Sequence, residues 1–153
     1  MMIVDLTKKI SHHFKILETY QAGIVLNGQE VKSIKAGRIS LEGAFVVFRG
    51  NELFLTGANI PPYQPKNAPA NYHPQRTRKL LLTKQEIKNL FGKYKQKGLT
   101  IKPLSVYTQK GKIKIEFALL KSKKKIDRRE EIKKKEWQRE KESALKRNLL
   151  FNK

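Results

Sequence analysis

The side chains best suited to chemistry in this sequence are cations held at regular spacing. Lys32 and Lys35 recur at an interval that brings them to one face of a short helix, and Arg38 follows it closely, so that all three cations are presented outward. A second basic group, Arg76-Thr77-Arg78-Lys79, follows a proline-rich stretch. Ammonium and guanidinium groups fixed in this way bind phosphate. The pattern therefore predicts a phosphate-binding surface, with ordinary solvated lysines as the alternative.

The residues that build active sites are sparse. There is no cysteine, which excludes a disulfide framework, a thiol nucleophile and a thiolate metal site. Neighbouring His12 and His13 would point to opposite sides of a strand, and even with His73 they make a poor metal site. The sequence has no phosphate-cradling glycine loop, nucleophile elbow or carboxylate cluster. We therefore predict no enzymatic activity, metal or cofactor.

The overall charge indicates the kind of partner. The 153 residues include 34 Lys and Arg against 13 Asp and Glu, a formal net charge of +21. Such an excess favours a polyanion, either nucleic acid or an acidic membrane face. No apolar run reaches the ~18 residues of a membrane span. The expectation is a cytoplasmic protein without a membrane segment.

Charge and apolar periodicity divide the chain into two parts. Residues 121–153 hold 14 basic and 6 acidic side chains, whereas most apolar periodicity precedes them. We place the boundary near Leu120, with a folded body over 1–120 and a basic tail over 121–153. From Arg128 onward helix formers dominate, but apolar residues are few. We expect this tail to be disordered when free and helical when bound.

The first basic group follows a predicted strand and lies on a predicted helix. Tyr20, Ala22, Ile24 and Leu26 are spaced to fall on one side of a strand. Asn27 and Glu30 have the spacing of a capping box, which starts a helix, and Gly37 is suited to ending it. Ile34 then faces the core while the cations face outward.

The remaining body is predicted to be antiparallel and mainly β. Residues 41–48 and 53–58 form a hairpin around Gly50-Asn51, and 99–108 pairs with 112–119 around Lys110-Gly111. Pro103 predicts an edge position or a bulge. Thr83 and Glu86 form a second capping box. The buried face of that helix is predicted to contain four residues at helical spacing: Ile87, Leu90, Phe91 and Tyr94.

Residues 59–79 contain five of the six prolines and form an irregular loop leading to a strand at 80–82. So long a loop in a compact domain is either functional or disordered. Tyr63 and Tyr72 could stack on RNA bases or pack locally. Trp137, the only tryptophan, stands among charged residues and is therefore a candidate for binding.

Four stretches, in order along the chain, are distinctive: residues 18–38, Gly57 to Ile60, His73 to Leu82 and Lys123 to Glu130. Together they resemble the bacterial small protein B family, the SsrA-binding proteins that partner transfer-messenger RNA (tmRNA). Gln21 departs from the family's usual glutamate, Ser122 from a common glycine, and Ile126 from a usually polar or aromatic residue. Gln21 keeps a hydrogen-bonding end but lacks the charge.

The resemblance implies an OB-like antiparallel β-barrel with two to three short helices. One barrel face would bind the tRNA-like domain of tmRNA. The residues carried over to that face are Tyr20, Gln21, Lys32, Lys35, Arg38, Asn59, Arg76, Arg78, Lys79 and Leu81.

The resemblance also gives the tail a role. It would enter the empty mRNA channel of a stalled ribosome, near 16S rRNA and the decoding centre, and direct tmRNA there for trans-translation. The tail residues carried over are Lys123, Lys124, Asp127, Arg128, Arg129, Ile132, Lys133 and Trp137. We expect a monomer. A generic RNA chaperone or ribosomal protein shares the charge and the barrel but does not need such a tail.

Overall fold

A computed structural model describes residues 1–96, 98–123 and 136–139. The elements in chain order are β1 (Met2–Asp5), α1 (Thr7–His13), β2 (Phe14–Ile24), α2 (Gly28–Lys35), β3 (Phe45–Arg49), β4 (Glu52–Thr56), a 3-10 turn (Pro65–Asn67), β5 (Arg78–Leu81), α3 (Lys84–Tyr94), β6 (Leu99–Gln109) and β7 (Lys112–Ser122). The mainly β class predicted from the sequence is confirmed.

The strands form one antiparallel sheet in the order β1-β6-β7-β2-β5-β4-β3. Its last strand, β3, also approaches β6, so the sheet curls into a barrel. One core fills the barrel and includes Leu53, Leu80 and Phe117. A smaller cluster around Ile10 and Leu104 lies under α1. Among the described residues no helix is both long enough and apolar enough to cross a membrane.

Both hairpins close where the turn residues predict. Arg49 pairs with Glu52, and Gln109 pairs with Lys112. In the second turn Lys110 and Gly111 have φ angles of 51° and 76°, the pair of positive values that a type I′ turn requires. The register between β6 and β7 shifts between Pro103 and Ser105, so the bulge predicted at the proline is present.

Other predictions are corrected at the ends of elements. The strand predicted from Leu41 begins only at Phe45, because a turn intervenes in which the Ala44 N–H donates to the Leu41 carbonyl at 3.0 Å. The strand predicted to end at Leu119 continues to Ser122, so the boundary proposed near Leu120 falls within β7. The chain divides into two compact units, Met1–Ser122 and Lys123–Lys153.

Two further expectations were wrong. His12 and His13 end α1, a helix that the sequence patterns did not reveal, so the argument from strand geometry does not apply to them. On α3, Leu90 is fully buried and Ile87 and Tyr94 are partly buried, but Phe91 is 41% exposed. A helix packed on a curved sheet contacts it over a narrow stripe, which leaves the edge of its apolar face accessible.

Candidate nucleic-acid interface

Lys32 and Lys35 of the first basic group lie on α2 as predicted, and Arg38 follows just after the helix ends; we call these three residues the basic ridge. All three residues are exposed. The helix beneath them is fixed at its start, where the Glu30 N–H donates to Asn27 Oδ1 and the Asn27 N–H donates to Glu30 Oε1, both at 2.9 Å. These reciprocal bonds satisfy two of the backbone donors that a helix N-terminus leaves open.

The end of α2 is equally well defined. Gly37 has a φ of 81°, the left-handed conformation that ends many helices. The next N–H, that of Arg38, donates to the Ser33 carbonyl at 2.9 Å. The buried side of the helix consists of Glu30, Ser33 and Ile34, each 0% exposed. The ridge therefore projects from an anchored element.

Glu30 is also the centre of a buried charge cluster, the Glu30 network, formed with Arg76 and Arg78. Glu30 Oε2 accepts from Arg78 Nε at 2.5 Å, and Glu30 Oε1 accepts from an Arg76 terminal nitrogen at 2.6 Å. Glu30 and Arg78 are 0% exposed. Burial raises the pKa of Glu30, but hydrogen bonds from Arg76, the Asn27 backbone and Arg78 outweigh it and hold the pKa below its ordinary value.

Arg78 connects this cluster to the barrel. Its guanidinium donates to the carbonyls of Ala58 and Pro74, both at 2.9 Å. Each of its three nitrogens thus donates to an internal acceptor, either Glu30 or a backbone carbonyl. The resemblance had assigned Arg78 to the RNA face. Its guanidinium lies in the interior of the protein, where it neutralises the buried carboxylate of Glu30.

The proline-rich loop is held in place by hydrogen bonds to α2 and within the loop itself. The backbone N–H groups of Tyr63 and Gln64 donate to Gln29 Oε1 at 3.1 and 3.3 Å. The Tyr72 hydroxyl donates to the Ile60 carbonyl at 2.7 Å, which favours local packing for this tyrosine. Tyr63 is 38% exposed and stays available for stacking. The loop is thereby tied to α2, the helix that carries the basic ridge.

Arg76 and Asn59 line one surface cavity of about 520 Å³ together with His73, Pro74 and Gln75. Arg76 is partly exposed, so its guanidinium contacts Glu30 on one side and reaches the surface on the other. Asn59 is held by a backbone bridge to Ser40, with both N–H to carbonyl distances at 2.9 Å. The structure therefore brings these two predicted residues together beside α2.

Gln21 and Leu81 meet at a second cavity, of about 450 Å³, where β2 and β5 diverge. Both side chains are exposed. Tyr20, on the opposite face of β2, stacks on Phe117 with ring centroids 5.5 Å apart. Burial, with Glu18 nearby, raises the pKa of Tyr20 to about 12, so its hydroxyl keeps its proton at physiological pH.

The last predicted cation of the barrel, Lys79, is paired with Glu52 at 3.1 Å, and both side chains are about half exposed. Such a pair is weak and exchangeable.

The sequence did not indicate that Glu30 and Gln29 organise the loop. Glu30 was recognised only as a capping residue, and no local pattern relates it to arginines beyond the proline-rich stretch.

Most of the predicted tail residues (Lys124, Asp127, Arg128, Arg129, Ile132 and Lys133) lie outside the described residues. Lys123 is partly buried directly after β7. Residues 136–139 are helical, and within them Trp137 is 61% exposed.

A small antiparallel β-barrel of high positive charge, with cations fixed on an anchored helix, belongs to the general class of nucleic-acid-binding barrels. The sequence of residues 4–147 matches the SmpB protein family, and the chain belongs to this family.

Relatives and a solved structure agree with this assignment. An SsrA-binding protein of Coxiella burnetii is 46% identical over 143 residues, covering 94% of this chain and 90% of the relative. That of Cupriavidus necator is 47% identical over 146 residues, covering 95% and 97%. The solved structure described as "tmRNA-SmpB: a journey to the center of the bacterial ribosome" has a TM-score of 0.62 and 47% identity, and the match covers 74% of this chain and 80% of that one.

Proposed function

We propose that this protein binds tmRNA and acts with it on bacterial ribosomes in trans-translation. The observation that carries the proposal is membership of the SmpB family over residues 4–147, together with relatives of nearly the same length that are described as SsrA-binding proteins. The charge of +21 supplies the attraction that a highly charged RNA requires.

Within this function, the barrel would hold the tRNA-like domain of tmRNA. The basic ridge and the partly exposed Arg76 offer phosphate contacts, and Gln21 and Leu81 offer contacts to less charged parts of the RNA. Arg78 would act indirectly, since it holds α2 and the proline-rich loop in place through Glu30. The protein would position RNA rather than catalyse a reaction, and it would work in the cytoplasm, where ribosomes are.

The tail would supply the ribosomal half of the function. Residues 123–153 would occupy the empty mRNA channel near the decoding centre and become helical there. A basic segment with few apolar residues can be ordered by binding to a polyanionic surface, which supplies the contacts that a hydrophobic core would otherwise provide. The requirement for a tail distinguishes this function from that of a generic RNA chaperone, which needs the barrel alone.

Filter binding tests the RNA half. The protein is titrated with the tRNA-like domain of tmRNA and, as a control, with a fully paired RNA of equal length. We expect preference for the tRNA-like domain and a strong salt dependence. If about six phosphates are neutralised, affinity falls roughly a thousandfold between ~50 and ~200 mM salt. Equal affinity for both RNAs would contradict specific recognition.

A further inference from the structure

An apolar groove of about 490 Å³ lies between the β3–β4 turn, β5 and α3. Its volume is in the range of about 300–1,000 Å³ that small-ligand pockets occupy. Two large apolar side chains in its lining reach the surface: Leu81 is 52% exposed and Phe91 is 41% exposed. Apolar groups grouped in this way at a protein surface mark an interaction site.

Lysines surround the groove. Lys84 and Lys88 lie one helical turn apart on α3, are exposed and line it. Neither belongs to any ion pair among the described residues. The third cation, Lys79, is paired with Glu52, the acidic residue of the lining. The groove therefore suits a ligand that combines a flat apolar surface with negative charge.

An unpaired nucleotide has this combination, because its base stacks on aromatic rings while its phosphates attract cations. Continuity with the RNA surface supports this choice over an acidic peptide. Leu81 lines this groove and also the neighbouring cavity that contains Gln21. An RNA held across β2 and β5 would therefore lie directly beside the groove.

Phe91 is already placed for stacking. Its ring meets Phe48 edge to face, with centroids 5.3 Å apart, and Lys95 Nζ lies 4.7 Å from the Phe91 centroid. The position of Lys95 shows that the ring is reached from solvent. Lys95 does not line the groove, so its ammonium lies beside the site, where it can meet a phosphate of a nucleotide whose base stacks on Phe91.

We propose that the groove binds an unpaired nucleotide of the RNA, with the base against Phe91 and Leu81 and the flanking phosphates at Lys84 and Lys88. The proposal rests on the proposed RNA-binding function and extends it to α3. It makes Phe91 a contact that favours single-stranded over fully paired RNA.

Three variants test the stacking. Phe91→Ala removes the ring, Phe91→Tyr keeps it, and Phe45→Ala removes an equally accessible ring, 43% exposed, that does not line the groove. Each is titrated with the tRNA-like domain and with fully paired RNA, after thermal unfolding has confirmed its fold. We expect Phe91→Ala alone to weaken binding of the tRNA-like domain, by about 5- to 100-fold, with paired RNA unaffected.

A double variant tests the charges and leaves the apolar packing of the groove unchanged. Lys84→Gln combined with Lys88→Gln should lower the salt slope for the tRNA-like domain by about 1.4, roughly 0.7 for each phosphate contact. These side chains are exposed, so the fold should be retained.

The outcomes distinguish a failure of the groove proposal from a failure of the proposed function. If the wild-type protein prefers the tRNA-like domain but Phe91→Ala binds it equally well, the groove proposal is wrong and the proposed function stands. If Phe91→Ala keeps RNA affinity but no longer sediments with ribosomes, the groove binds a ribosomal component instead, which also overturns the proposal. If the wild-type protein shows no preference between the RNAs, both proposals fail.

Discussion

Replacing Glu30 by glutamine removes the charge at the centre of the Glu30 network while keeping the size of the side chain. Breaking one partner of a buried ion pair costs about 3–5 kcal/mol. The lower end applies here, because Arg78 keeps two carbonyl acceptors and Arg76 is partly exposed and can be hydrated. We therefore expect a loss of about 3 kcal/mol from a total stability of about 5–15 kcal/mol.

Equilibrium unfolding in urea at neutral pH measures this loss. With slopes of about 1–3 kcal/mol per molar urea, the midpoint should fall by about 1–3 M while the slope is unchanged. Glu42→Gln is the matched control, because Glu42 pairs with Lys9 at 2.6 Å but both side chains are well exposed. That variant should have the same urea midpoint as the wild-type protein.

The coupling between the partners gives a stricter test. Replacing Glu30 and Arg78 together by methionine removes both buried charges, so the double variant should lose less stability than the two single changes added together. Additive losses, or a Glu30→Gln midpoint equal to that of the Glu42→Gln control, would refute the view that this buried pair holds α2 to the proline-rich loop.

The remaining predictions concern pH, the basic ridge and the tail. Since the folded state lowers the pKa of Glu30, its contribution is fully present above the ordinary value of 4.5 and is lost as pH falls through the folded pKa; the difference in urea midpoint between wild type and Glu30→Gln should shrink on acidification. Changing Lys32, Lys35 and Arg38 together to glutamate should abolish a gel shift with the tRNA-like domain while the circular dichroism spectrum is unchanged; retained binding would show that the ridge is only solvated surface. Truncation after Ser122 should leave stability unchanged and weaken RNA binding modestly, but abolish tagging of stalled peptides in reconstituted translation; continued tagging would exclude the proposed role of the tail.

Much of the local structure could be predicted because its signals lie within a few residues. The capping boxes at Asn27 and Thr83 are formed by a side chain and a backbone group three positions apart, so the sequence contains both partners. The turn at Lys110-Gly111 likewise depends on the conformational preferences of its own residues. Helix α1 gave no such signal, since it is short and its N-cap residue makes no side-chain hydrogen bond.

The role of each basic residue, in contrast, was decided by tertiary structure. Composition and spacing determined that the protein is a basic, mainly β polyanion binder, and its resemblance to a family gave the partner. Arg76 and Arg78 are two residues apart in one basic stretch, yet one reaches the surface while the other is fully buried. The partner of Arg78 is Glu30, 48 positions away, and only folding brings the two together. Phe91 became accessible for the same kind of reason: a helical pattern gives the direction of the apolar face, but the curvature of the sheet beneath determines how much of that face is covered.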